Sequence, residues 1–261
     1  MASWVVCGVV GGADVPLVLM TCRTDGVLLK PTVPAMYIDR VWLGGQSGLG
    51  EIATARTVLQ GLAWAFTYRV CAPGVGQYDN AADKSHIPSC NGSTVALTAS
   101  DIGLGQHHSD QRAKYVTYRW CGSRPSGRCQ NAGLLPSVQP LSDAHPFAIG
   151  GSGSSSTSVE ADYWAAAPVL RNGWVLLGEA EKLVPVSAQR IASLDTTQQG
   201  DATAVSLVAT GMPMEKVSML FADKALQVHA VSCKLPRSGR VRMTIEQSGA
   251  GAAPKSGCAE L

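Results

Sequence analysis

The chain has 261 residues and a formal net charge of +2, and only 15% of its residues are charged, against roughly 25% in an average domain. Nothing in that balance points to a nucleic-acid partner or an anionic membrane surface, and no apolar run reaches the roughly 20 residues of a membrane helix. Hydrophobic residues at 46% supply a sizeable core, while 28 Gly and 14 Pro divide it into short elements.

The opening stretch is apolar but lacks a basic leading segment and is interrupted by Asp14 and Pro16, so it makes a poor signal peptide. The spacing of Val15, Val18, Leu19 and Cys22 predicts one buried helix face over Asp14 to Cys22. Asp14 is the candidate N-cap, Pro16 fits the first turn, and Gly26 supplies the stop. Val27 to Leu29 read as a short extended segment.

From about Ile38 the period changes to two. "YIDRVWL", "WAFTYRV", "STVALTA" and "KYVTYRW" are short runs separated by Gly, Pro, Asn and Asp. The fourth run puts Val116, Tyr118 and Trp120 on one face. "DYWAAAPVL", "GWVLLGE", "ATAVSLVAT", "EKVSMLF" and "LQVHAVSC" follow, and the run from Arg240 to Glu246 alternates polar and apolar throughout. Such a series suggests a sandwich or a barrel, and an antiparallel β-sandwich of two packed sheets is the expected fold. The Gly/Ser tract "GGSGSSSTS" at 150–158 has linker composition and predicts a mobile loop, and residues 251–261 read as a disordered tail.

Chemistry-bearing clusters are few. His107, His108, Ser109 and Asp110 group ligand-type side chains, but adjacent histidines on an extended segment face opposite ways, so no metal site is assigned. The Gly-rich runs match no phosphate loop and no GxSxG elbow occurs, so neither a cofactor nor a catalytic residue is assigned. Asp39, Glu51, Glu160, Asp162, Glu179 and Glu181 are too scattered to form a carboxylate pair on sequence grounds. The six tryptophans could stack on sugars, but at alternating positions most belong in a core. Eight cysteines include no CxxC. Cys71 and Cys90 bracket one irregular stretch and Cys121 and Cys129 another; they are the candidate disulfide cysteines, with a sequon at Asn91 beside them. Free thiols and an unused sequon are the alternative, and the compartment stays open.

"GGADVPLVLMTCRTDGVLLKP" (11–31) resembles the barrel end of raffinose synthase-like glycoside hydrolases, the group that includes alkaline α-galactosidases. The family writes this segment GGPxYVSDxxGxHDxxLLxxLxxxDGxxLR. Gly11, Asp14, Leu17, Asp25, Gly26, Leu28 and Leu29 match it, and Lys30 stands for its final basic residue. "GEIATARTVLQGLAWAFTYRV", "AKYVTYRWCGSR" and "ADYWAAAPVLRNGWVLLGEAEKLVPVSAQRI" are similar to later strands of the family. The resemblance implies a βα remnant of a barrel over 1–30, a β-sandwich domain over 31–250 and the tail beyond. It also implies a non-catalytic sandwich portion of a glycosidase or galactosyltransferase, because the family's two carboxylates lie on barrel strands upstream of the matched region. The partner would be a catalytic barrel segment or a carbohydrate. The alternative is a secreted β-sandwich that binds carbohydrate or mediates adhesion, unrelated to glycosidases.

Overall fold

The computed structural model describes residues 51–71, 94–104, 114–120, 135–150, 160–180, 182, 186–249 and 251–261, together with backbone strands at 4–6, 21–23 and 37–41. Among the described residues the protein is mainly β, without a helix. The strands are β1 (Trp4–Val6), β2 (Thr21–Arg23), β3 (Tyr37–Val41), β4 (Glu51–Leu59), β5 (Leu62–Cys71) and β6 (Thr94–Leu97). They continue with β7 (Tyr115–Arg119), β8 (Val138–Leu141), β9 (Phe147–Gly150), β10 (Glu160–Pro168), β11 (Val175–Glu179) and β12 (Ile191–Gln199). The last five are β13 (Ala202–Thr210), β14 (Lys216–Ala222), β15 (Val228–Lys234), β16 (Arg240–Gln247) and β17 (Lys255–Glu260).

All pairings are antiparallel, consistent with a β-sandwich. A six-stranded sheet runs β3-β4-β5-β10-β7-β8, a three-stranded sheet β11-β14-β15, and a four-stranded sheet β12-β13-β16-β17. Two-stranded ladders, β1-β2 and β6-β9, accompany them. From β11 onward the chain crosses between the two smaller sheets in a fixed rhythm. It leaves β11 for the β12–β13 hairpin, returns for β14–β15, and crosses again for β16–β17.

Period-two patterning places the core. On β16, Val241, Met243 and Ile245 point inward while Arg240, Arg242 and Glu246 are exposed. Val205, Leu207 and Ala209 of β13 and Val217, Met219 and Phe221 of β14 join the same cluster. Trp64 and Phe66 of β5 and Val116 and Tyr118 of β7 extend that cluster into the six-stranded sheet. The other face of the same sheet, with Ala63, Ala65, Tyr115 and Ala166, packs on Leu97, Phe147 and Ile149 of the β6–β9 ladder. The six-stranded sheet is therefore covered on both sides, and its β4–β5 hairpin closes through Gln60 and Gly61, both at positive φ as a two-residue turn requires.

Strand β11 is buried at all five positions. Its register on β14 shifts between Leu176 and Gly178, a bulge that takes Leu177 out of the ladder. Side chains of the six-stranded sheet meet it there. Trp64 Nε1 donates to the Leu176 carbonyl at 2.8 Å and the Tyr118 hydroxyl to the Leu177 carbonyl at 2.7 Å. Burial raises the Tyr118 hydroxyl far above its ordinary pKa, so it stays a donor.

Two sequence expectations are corrected. The helix predicted over Asp14 to Cys22 does not include its last two residues, because Thr21–Arg23 is extended and pairs with Trp4–Val6; Cys22 lies opposite Val5. The ladder's cross-strand hydrogen bonds replace helical ones there. The rest of that helix, Val27 to Leu29 and the Gly/Ser tract beyond Gly150 lie outside the described residues, and the βα remnant is not shown. The tail is not disordered. Lys255–Glu260 pairs in unbroken register with Val241–Glu246, and a Cys233–Cys258 disulfide ties it to β15, with Cα atoms 6.0 Å apart. Cross-strand bonding and a covalent clasp order a segment whose own side chains are almost all exposed.

Two stability tests follow from these contacts. Tyr118→Phe leaves the Leu177 carbonyl without this donor in a dry interior and is expected to cost about 1–3 kcal/mol in urea unfolding. Cys258→Ser opens a loop with a sequence separation of 25 and is expected to cost about 3 kcal/mol. Reductant should bring the wild-type midpoint to that of the variant, and no response to reductant would contradict the clasp.

Candidate functional site

Polar clusters inside an apolar fold are where chemistry would be found. The first joins three strands. Asp162 of β10, 5% exposed, accepts Arg119 Nε at 2.7 Å and the Gly150 amide at 2.9 Å, with Trp164 Nε1 at 3.4 Å. Arg119 Nη2 also reaches Asp162 Oδ1 at 2.7 Å, and the guanidinium lies 5.8 Å over the Trp164 ring. Both carboxylate oxygens are thereby committed to holding β7, β9 and β10 together.

The second cluster comes closest to an acid pair. Arg190, just before β12, contacts Glu179 Oε2 at 2.9 Å through Nε. Its Nη2 meets Glu215 Oε1 at 2.5 Å, and Nη1 reaches Glu215 Oε2 at 3.1 Å and the Thr210 carbonyl at 2.7 Å. Burial raises the Glu179 carboxyl above its ordinary pKa, outweighing the attraction of Arg190. The Arg190 hydrogen bonds instead hold Glu215 below its ordinary value. Two carboxyls pushed apart in this way suggest an acid and a base. Space decides otherwise. A Cβ on Gly211 would run into Arg190 Nη1 and Glu215 Oε2 and lie 2.8 Å from Leu235 Cδ1, so the Gly211 backbone sits directly on the ion pair. The Arg190 guanidinium bonds to both acids and so occupies the place where a glycosidase would admit its sugar. The cluster is a structural joint where the chain crosses from β11 to β12 and from β13 to β14.

A third carboxylate, Asp223, organises the β14–β15 turn. Its Oδ1 accepts the Ala225 and Gln227 amides, both at 2.9 Å, and its Oδ2 lies 3.0 Å from His229 Nε2. Leu226 inside this turn has φ +61°, a left-handed conformation that is uncommon for leucine.

Beside that turn opens a groove of about 600 Å³. Its floor includes Val116, Val169, Val175 and Leu226, and its rim includes Lys114, Lys224, Ser100 and Asp143. Ser142 and His145 on the same loop bond each other, Oγ to Nδ1 at 3.1 Å, within a four-residue turn. Asp143 is engaged by Ser100 rather than by that histidine, so the three do not form a relay.

The sequence-predicted residues contribute little to these sites. Cys90, Asn91, Cys121 and Cys129 lie outside the described residues, as do the His107–Asp110 cluster and the side chain of Cys71, which ends β5. The described disulfide, Cys233–Cys258, joins two cysteines that carried no local signal. Trp64 and Trp174 are buried, and Trp120 and Trp164 pack against the core, so among the described residues no tryptophan offers a sugar platform. Of the carboxylates, Glu179 was visible as a charge ending the apolar run "WVLLGE", which demands a partner when buried. Glu215, the second acid at Arg190, was not. No known family model matches the chain, and no curated protein shows significant similarity to it.

The opposite displacement of the two acids gives a pH test. Glu215 stabilises the fold above its unfolded pKa of about 4.3, and that contribution is lost as pH falls through its lowered folded value. Glu179 binds its proton more readily when folded, so its contribution grows as pH falls through its raised folded value. Glu215→Gln is therefore expected to cost about 1–2 kcal/mol at pH 7, more than Glu179→Gln, and the Glu215→Gln deficit should shrink in melts below about pH 4.

Proposed function

We propose that the chain is a non-catalytic β-sandwich module that works beside a separate catalytic unit, in the manner of the C-terminal sandwich of raffinose synthase-like glycosidases. The supporting observation is the state of its buried carboxylates. Among the described residues, Asp162, Glu179 and Asp223 each bind a cationic or imidazole side chain at a strand junction, and the Arg190 guanidinium is bonded to both Glu179 and Glu215. A glycosidase needs two acids about 5–10 Å apart across an open site that admits the sugar. The partner in this reading is a catalytic barrel segment, with the groove left free.

One observation favours a second reading. A disulfide between β15 and β17 belongs in an oxidising compartment, which suits a secreted carbohydrate-binding or adhesion sandwich.

Turnover of a chromogenic α-galactoside by the whole chain tests the first reading. The expected rate equals that of buffer, and turnover that disappears in Glu179→Gln or Glu215→Gln would overturn it. Retention on a glycan array, lost in reductant, would shift the assignment to the second.

A further inference from the structure

The groove has the features of a ligand site that neither reading uses. Two distant parts of the chain bring lysines to the lining of one groove: Lys114 precedes β7 and Lys224 sits in the β14–β15 turn. Neither has a salt-bridge partner among the described residues. The one carboxylate on the rim, Asp143, is held by Ser100, whose amide and hydroxyl approach its two oxygens at 3.4 and 3.1 Å. The formal charge at the rim is thus one positive.

Lys224 is also positioned. Gly173 has φ +86° in the turn that joins β10 to β11, and a Cβ there would lie 2.8 Å from both Cγ and Cε of Lys224. The lysine stem therefore lies flat over the glycine, and part of its ordering cost is met before any ligand arrives. Leu226 is fixed in the same way. Its left-handed backbone is held by Asp223, whose carbonyl accepts the Leu226 amide at 2.9 Å while its carboxylate takes the flanking amides. Backbone strain that is so fully supported by its surroundings points to a use for the side chain. Leu226 lines this groove and also a second one of about 470 Å³ beside Leu135 and Val138, so the two meet at its side chain.

The floor selects the rest of the ligand. Val116, Val169, Val175 and Leu226 offer no side-chain hydrogen bonds, and the aromatic among the lining residues, Tyr115, is 5% exposed with its hydroxyl already bonded to the Leu104 carbonyl, which disfavours a sugar ring. The volume is that of small-molecule sites, roughly 300–1,000 Å³. We propose that the groove binds a small aliphatic carboxylate, its chain on the valine floor and over Leu226, its carboxylate on Lys224 and Lys114. This inference stands independently of the module reading.

Isothermal titration of the whole chain with octanoate tests it, with octan-1-ol, octylammonium and glucuronate as comparisons. Octanoate is expected to bind saturably and at least about tenfold more tightly than the other three, a difference of about 1.4 kcal/mol. Lys224→Glu should weaken octanoate at least about tenfold, and Leu226→Gly, which suits the left-handed backbone but gives up a side chain packed on the core, should weaken it several-fold. No saturable octanoate binding would overturn the proposal. So would equal binding of octan-1-ol or glucuronate, or an unchanged affinity in Lys224→Glu.

Discussion

The architecture depends on how the carbonyls of a fully buried strand are satisfied. Strand β11 lies at the edge of its own three-stranded sheet, yet water does not reach it. A bulge removes Leu177 from the ladder, and a buried carbonyl without a donor costs on the order of 1–3 kcal/mol. Trp64 and Tyr118 supply donors from the six-stranded sheet while their rings fill the shared core. The same two side chains thus provide apolar area and directional bonding. Sliding one sheet over the other would break both at once, so the sheets are fixed in register as well as in contact.

Further along, the chain repeatedly crosses from one small sheet to the other, and different chemistry fastens the junctions. Trp174, fully buried, donates from Nε1 to Thr203 Oγ1 at 2.9 Å, and Asn172 donates to the Ala204 carbonyl at 2.8 Å. These bonds bind the turn after β10 to the four-stranded sheet. Arg190 holds the ends of β11 and β13 to the starts of β12 and β14. Cys233 and Cys258 close the far edges of the two sheets. A buried ion cluster is a costly fastener, because desolvation consumes much of the Coulomb gain, and the raised Glu179 carboxyl records that cost. It does fix geometry, since breaking it would leave a buried charge unpaired.

The strands that were legible in sequence are those with one face in the core. "ATAVSLVAT", "EKVSMLF", "LQVHAVSC" and the Arg240–Glu246 run became β13, β14, β15 and β16, because alternation there mirrors burial. The two edge strands of the four-stranded sheet were not legible. In β12, Asp195, Gln198 and Gln199 are exposed, and β17 carries almost nothing buried. Such segments become strands by backbone pairing with β13 and β16, a long-range effect that no local pattern records. The candidate groove was hidden for a related reason. Its lysines are 110 positions apart in the chain, and only the folded turn at Leu226 brings them to one rim.

Gly211 and Gly173 show what separates a joint from a site in this protein. At each, the space a Cβ would occupy is taken by a charged side chain from elsewhere in the fold. At Gly211 the guanidinium meets two carboxylates, so its charge is matched within the fold. At Gly173 the Lys224 stem is pinned in the same manner, but Lys224 lines the groove together with Lys114, with Asp143 already engaged by Ser100. A pinned and paired charge completes the fold. A pinned charge without an ion-pair partner among the described residues has its geometry fixed and its electrostatics unfinished, and an anion with an apolar body complements both the lysines and the apolar lining beneath them.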